Sequence, residues 1–266
     1  MRPKTRRPKL GQHFLTNSYY RSAIVSELDL HSDDFILEIG PGYGAMTELL
    51  IPHVQKVAAV ELDAGLALEL EQKFRDEPEV EIVNADILTV DLESICRSHQ
   101  SSQCYVFGNL PYYITSPIIH HLLAFSSRIR AMALLVQREV ADRLTAKPGT
   151  RDYGYLTVLA RLYSLPRMAL RVPPGAFLPP PKVESALVCF EMRPAGSQVL
   201  AAKKEEFANF LKQSFSYKRK MLLNCLSQFY PRPRIEQEIE RLALSVTVRA
   251  EELSLEQFAT LFSRLA

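Results

Sequence analysis

The feature that most restricts this chain is a repeat of short apolar runs, each leading to a glycine or a polar residue. Phe35-Ile36-Leu37-Glu38-Ile39 runs into Gly40, and Val57-Ala58-Ala59-Val60 into Glu61. Glu81-Ile82-Val83 leads to Asp86, and Tyr105-Val106-Phe107 to Asn109. A fifth run is Met132-Ala133-Leu134-Leu135-Val136. Helical patterns separate them, as in residues 64–74, where Leu66, Leu70 and Phe74 share a face. Alternation of this kind builds βαβ units and a parallel sheet buried on both faces. Ligands bind such sheets beyond the carboxyl ends of the strands. Gly40, Glu61, Asp86 and Asn109 all stand there, so they form a constellation rather than four separate signals.

The first strand end reads Glu38-Ile39-Gly40-Pro41-Gly42-Tyr43-Gly44. Glycines let the backbone turn tightly and approach a ligand with no side chain between. The spacing is G-x-G-x-G, not the G-x-G-x-x-G of dinucleotide sites, and Pro41 removes an N–H that a pyrophosphate would use. Glu61 lies 21 residues beyond Gly40, where an acid accepts hydrogen bonds from both ribose hydroxyls. A plain surface carboxylate, followed by Asp63 as a helix cap, is the alternative reading. Asp86 can accept from an adenine amino group, and the amide of Ile87 can serve a ring nitrogen. Together these residues describe an adenosyl ligand, either S-adenosylmethionine or NAD.

The fourth strand end separates the two. Asn109-Leu110-Pro111-Tyr112 suits methylation of an exocyclic amino nitrogen. That nitrogen is a poor nucleophile because its lone pair is delocalised into the ring. An Asn side-chain carbonyl and the main-chain carbonyl before Pro111 can both accept its hydrogens. The nitrogen then becomes tetrahedral, with its lone pair free, and catalysis is positioning plus electrostatics. Tyr112 can stack on the target base, which must be flipped out or unpaired. Phe177 is the candidate for the opposite face of the base, or else a core plug under its loop.

That loop, residues 172–181, is held extended by its prolines. Residues 185–192 read as another strand, and residues 193–197 as a linker. From Ala201 the pattern is helical, with Phe207, Phe210, Leu211 and Phe215 at i, i+3, i+4 and i+8. A length of 266 residues fits one large domain, residues 1–194, and a small helical one, residues 195–266.

Net charge is only +2, so distribution matters more than total. Arg2, Lys4, Arg6, Arg7 and Lys9 crowd the first ten residues, and Lys218-Arg219-Lys220 form a second cluster. Either can neutralise phosphates or simply be solvated. Cys96, Cys104, Cys189 and Cys225 show no metal or CxxC spacing and read as reduced thiols of a cytoplasmic protein. The six histidines form no ligand set, so no metal is expected. No run approaches the roughly 20 apolar residues of a membrane helix, and no apolar run follows the basic N-terminus as in a secretory signal. Nothing argues against a monomer.

Five motifs, in this order, resemble the ribosomal RNA adenine dimethyltransferases. They are Gly11-Gln12-His13-Phe14-Leu15, the turn from Glu38 to Gly44, Asn84-Ala85-Asp86, Asn109-Leu110-Pro111-Tyr112, and Phe177-Leu178-Pro179-Pro180-Pro181-Lys182-Val183. The likeness runs from about Lys9 to the C-terminus. It implies a Rossmann-like α/β methyltransferase domain of seven strands with a small all-helical C-terminal domain. It also implies S-adenosylmethionine as cofactor and dimethylation of two adjacent adenines near the 3′ end of small-subunit (16S) rRNA during ribosome assembly. The resemblance assigns cofactor contact to Gln12, His13 and Leu15, beside Gly40, Gly42, Glu61, Asp86, Ile87 and Asn109. It gives Asn109, Leu110, Pro111, Tyr112 and Phe177 to the target base. The implied partner is the 30S precursor particle, with Arg6, Arg7, Lys9, Lys218, Arg219 and Lys220 on its phosphates. Competing readings are a 23S rRNA methyltransferase of the macrolide-resistance type, a non-catalytic RNA-binding factor, and an NAD oxidoreductase. The segment 214–222 favours the small-subunit enzymes. The presence of Asn109 and Glu61 disfavours the non-catalytic reading.

Overall fold

The computed structural model describes residues 12–193, 203–217 and 220–266. The predicted strands are present: β2 (Phe35–Ile39), β3 (Lys56–Glu61), β4 (Val80–Asn84), β5 (Cys104–Asn109) and β6 (Ile129–Gln137). They lie parallel in the order β4-β3-β2-β5-β6. β2 is buried at all five positions, as expected of a strand covered on both faces. The covering helices include α1 (Ser18–Glu27), α2 (Thr47–Leu50), α3 (Ala64–Lys73), α4 (Leu92–Ser98) and α5 (Thr115–Ala124). Asp63 caps α3, accepting from the amides of Gly65 and Leu66 at 2.8 and 3.2 Å.

The sheet is mixed rather than purely parallel. It is completed by β9 (Ser185–Met192), antiparallel to β6, and by β7 (Ser164–Val172) at the edge. β7 follows two further helices, α6 (Arg138–Thr145) and α7 (Tyr155–Tyr163). Sequence patterning missed β7, because Pro166, Arg167 and Arg171 interrupt its apolar rhythm. It also missed a two-stranded clasp. There β1 (Phe14–Leu15) pairs antiparallel with β8 (Phe177–Leu178), setting Phe14 opposite Leu178 and Leu15 opposite Phe177. Strands of two residues carry no periodicity to read.

The chain divides into two compact units, Met1–Ala141 with Arg167–Met192, and Asp142–Pro166 with Arg193–Ala266. The break after Met192 lies two residues before the boundary expected after residue 194, and the second unit also claims residues 142–166. The reason is packing. Tyr153, Val158 and Leu162 share one apolar core with Phe207, Phe210, Leu211, Phe258 and Phe262. The Tyr153 hydroxyl, buried in that core, donates to the carbonyl of Leu253 at 2.8 Å. The helices there include Lys204–Ser214, Leu222–Leu226, Arg232–Arg241 and Leu255–Leu265.

Candidate active site

The carboxyl ends of β2, β3, β4 and β5 open on one cleft. Its wall brings together Gln12, His13, Gly40, Gly42, Glu61, Asp86, Ile87, Asn109, Leu110, Pro111 and Tyr112. Among the described residues no group of three or more His, Cys, Asp or Glu side chains is placed to hold a metal. No helix among them is long and apolar enough to cross a membrane.

The glycine turn is shaped by its neighbours. Gly40 and Gly42 have φ values of +67° and +60°, a region that L side chains enter at a cost. A Cβ on Gly42 would meet the Phe14 ring at 2.8 Å, so this position also admits the clasp strand against the turn. Glu61, only 3% exposed, is gripped by two amides: Gly42 N–H donates to Oε2 at 3.2 Å and Asp63 N–H to Oε1 at 2.9 Å. Burial raises its pKa, and those amide bonds hold the rise back. Each carboxylate oxygen keeps a further lone pair, so a fixed acceptor pair stands on the wall. Asp86 is anchored by one oxygen, which accepts from Leu88 N–H at 3.0 Å. These residues fit an adenosyl group: a turn that presents no side chain at Gly40 or Gly42, a pinned carboxylate and a half-committed aspartate.

At the other end, Asn109 ends β5. Its side-chain amide donates to the main-chain carbonyl of His13 at 2.9 Å. His13 is itself held, its Nδ1–H donating to the carbonyl of Pro179 at 2.8 Å. With the nitrogen committed, the Asn109 oxygen is the atom left to accept a hydrogen. The Tyr112 hydroxyl bonds Ser185 Oγ at 2.7 Å, and its ring lies 5.4 Å from that of His13. Burial raises the phenol pKa, so Tyr112 acts as a neutral ring. Thr115 Oγ1 donates to the carbonyl of Pro111 at 3.0 Å and closes the turn onto α5.

Two of the expected residues lie off the cleft wall. Leu15 is 6% exposed and lines a second hollow behind the glycine turn. Phe177, 3% exposed, is packed in the core with Leu15, Ala176 and Phe107 and offers no face to the cleft. Pairing with Leu15 in the clasp draws it inward. The aromatic that sequence reasoning missed is Tyr113, 60% exposed on the cleft wall. It stands beside Tyr112 in the sequence, which is the only signal that pointed to it. Arg6, Arg7, Lys9, Lys218 and Arg219 lie outside the described residues. Lys220 is exposed, its ammonium 4.1 Å from the centre of the Tyr217 ring.

The chain and its fold have known relatives. The family profile described as Ribosomal RNA adenine dimethylase matches residues 4–266. The chain belongs to the ribosomal RNA adenine dimethylase family. Within it, the chain is 40% identical to the Ribosomal RNA small subunit methyltransferase A of Acidobacterium capsulatum over 260 residues, 97% of this chain and 91% of the relative. Against the protein of that name from Geobacter metallireducens it is 40% identical over 258 residues, 96% of this chain and 94% of the relative. Among solved structures it is similar to a dimethyladenosine transferase from Plasmodium falciparum, with TM-score 0.79, 25% identity, and 94% and 96% of the two chains covered. The 23S rRNA methyltransferase ErmE gives TM-score 0.72 at 28% identity, covering 95% and 99%. The architecture is thus shared with a protein named a 23S rRNA methyltransferase, while the sequence relatives carry the small-subunit name.

Proposed function

We propose that this protein uses S-adenosylmethionine to dimethylate N6 of two adjacent adenines in the 3′-terminal hairpin loop of 16S rRNA. We further propose that it acts as a monomer on a partly assembled 30S particle in the cytoplasm. The observation that carries the chemistry is the bond from Asn109 to the His13 carbonyl. It fixes which way the side-chain amide points, so that the oxygen accepts from the target amino group.

Bound S-adenosylmethionine supplies an electrophilic methyl group on a sulfonium. Glu61, Asp86, the Ile87 amide and the turn from Gly40 to Gly42 hold its adenosine, and Gln12 and His13 close the near wall. Asn109 and the Leu110 carbonyl take the two amino hydrogens and draw the nitrogen lone pair out of ring conjugation. Tyr112, propped by Ser185 and His13, is the stacking face for the extruded base. No strong base is required, because the nitrogen becomes cationic on reaction and sheds its proton readily to water. The basic residues Arg6, Arg7, Lys9, Lys218, Arg219 and Lys220 fit the role of phosphate contacts, and the helical unit that of an RNA support.

The test is transfer of labelled methyl groups to under-methylated 30S particles and, in parallel, to protein-free 23S RNA, followed by nucleoside analysis. N6,N6-dimethyladenosine in 16S rRNA, lost in Asn109→Ala, is the expected result. Label in 23S RNA alone would overturn the substrate and keep the chemistry.

A further inference from the structure

Behind the glycine turn lies a second hollow. It shares Phe14, Gly40 and Asn109 with the cofactor cleft, so the two adjoin at the turn. Two oppositely charging side chains line it, Arg21 from α1 and Glu38 from β2. Neither serves the other. Glu38 is fully buried and accepts from Thr47 Oγ1 at 2.6 Å. Arg21 forms no ion pair within 4.0 Å among the described residues, and its Nε is shut off from solvent without a hydrogen-bond partner.

A guanidinium that is half-buried with an unsatisfied N–H is costly, whereas an apolar side chain at this helix position would be comfortable. The planar fork of donors is shaped for a carboxylate or phosphate. The path of the cofactor decides which. Its adenosine is assigned to Glu61 and Asp86 on the far side of Gly40, so the amino-acid end runs toward Arg21. The only anionic group of that end is the α-carboxylate. An RNA phosphate would have to reach a hollow whose walls are those of the cofactor site.

We propose that Arg21 anchors the α-carboxylate of the cofactor's methionine end. This rests on the cofactor assignment above and adds to it a residue that neither motif nor resemblance marks.

Calorimetric titration tests it with two ligands, S-adenosylhomocysteine, which has the carboxylate, and 5′-methylthioadenosine, which lacks the whole amino-acid end. Arg21→Leu is expected to weaken S-adenosylhomocysteine about tenfold or more and to leave 5′-methylthioadenosine within about twofold. Arg21→Lys, a point charge without the fork, is expected to fall between. Equal losses for both ligands, or no loss for S-adenosylhomocysteine, would overturn the inference. If Arg21→Leu does not fold, decarboxylated S-adenosylhomocysteine on the unaltered protein serves instead. About tenfold weaker binding than the parent ligand is expected, and equal binding would overturn it. Failure of the unaltered protein to bind either nucleoside would sink the cofactor reading itself.

Discussion

The side-chain amide of Asn109 and the main-chain carbonyl of His13 meet at 2.9 Å, joining β5 to a segment 96 residues earlier. The contact leaves the Asn109 oxygen as the acceptor. Asn109→Ala is expected to lower kcat for methyl transfer by about 10²- to 10³-fold, the usual cost of one preorganised polar contact. Asn109→Asp keeps an acceptor but loses the N–H and sets a carboxylate against a carbonyl. Single-turnover kinetics should show it nearly as impaired as Asn109→Ala. Wild-type rates in Asn109→Asp would mean that orientation by His13 is irrelevant.

Tyr112 separates ring from hydroxyl. Tyr112→Phe loses the 2.7 Å bond to Ser185 but keeps the stacking face, so kcat should stay within about fivefold of wild type. Tyr112→Ala removes a stack of about 1–3 kcal/mol, or roughly ten- to hundredfold in rate. Equal effects of the two substitutions in steady-state assays would assign the hydroxyl, not the ring, to the reaction.

Gly40 and Gly42 both have positive φ, but only Gly42 is crowded, with the Phe14 ring at 2.8 Å against 3.9 Å to the nearest atom at Gly40. Alanine at either position carries a left-handed penalty of about 1–2 kcal/mol. Gly42→Ala must also push the clasp strand away. Scanning calorimetry should therefore rank Gly42→Ala below Gly40→Ala in melting temperature, and cofactor affinity should follow the same order.

Glu38 makes stability fall as pH rises. Burial pushes its carboxyl up from 4.5 to about 7, with the Thr47 bond opposing and the Glu61 charge adding. The folded state thus holds a proton that the unfolded chain releases between those values. The resulting penalty is absent below about pH 4.5 and complete above about pH 7. At 1.36 kcal/mol per unit it reaches on the order of 3 kcal/mol. Glu38→Gln removes the titration while keeping an acceptor for Thr47. Its melting temperature should exceed that of wild type at pH 8 by several degrees, and the gap should close toward pH 5. A pH-independent gap would show that Glu38 does not titrate in this window.

Neutralising Lys218, Arg219 and Lys220 together should weaken RNA binding and flatten its dependence on salt, without changing cofactor affinity. Filter-binding titrations at several salt concentrations read both slopes. An unchanged slope would remove this cluster from the RNA interface.

The strands that position the cleft were legible because each is a continuous apolar run, the pattern of a sheet covered on both faces. Gly40, Glu61, Asp86 and Asn109 were legible for the same reason, since a polar residue closing such a run has one place to be. β7 was not, because at a sheet edge its polar residues reach solvent and blur the period. His13 was opaque to residue-level reasoning. Its service to Asn109 passes through a main-chain carbonyl, which any residue possesses. Phe177 reads equally well from the sequence as a stacking surface or a plug, and only burial beside Leu15 shows that it packs in the core. The place of residues 142–166 was not legible because membership of a core is decided by contacts across long stretches of sequence, such as the hundred residues between Tyr153 and Leu253.

The clasp between β1 and β8 makes the reacting end of the cleft the joint product of distant stretches of chain. The carbonyl that holds His13 belongs to Pro179, 166 residues later. His13 in turn supplies the carbonyl that orients Asn109. Strain introduced in the proline-rich loop thus has a route to the amide that faces the substrate, without any residue of that loop touching it.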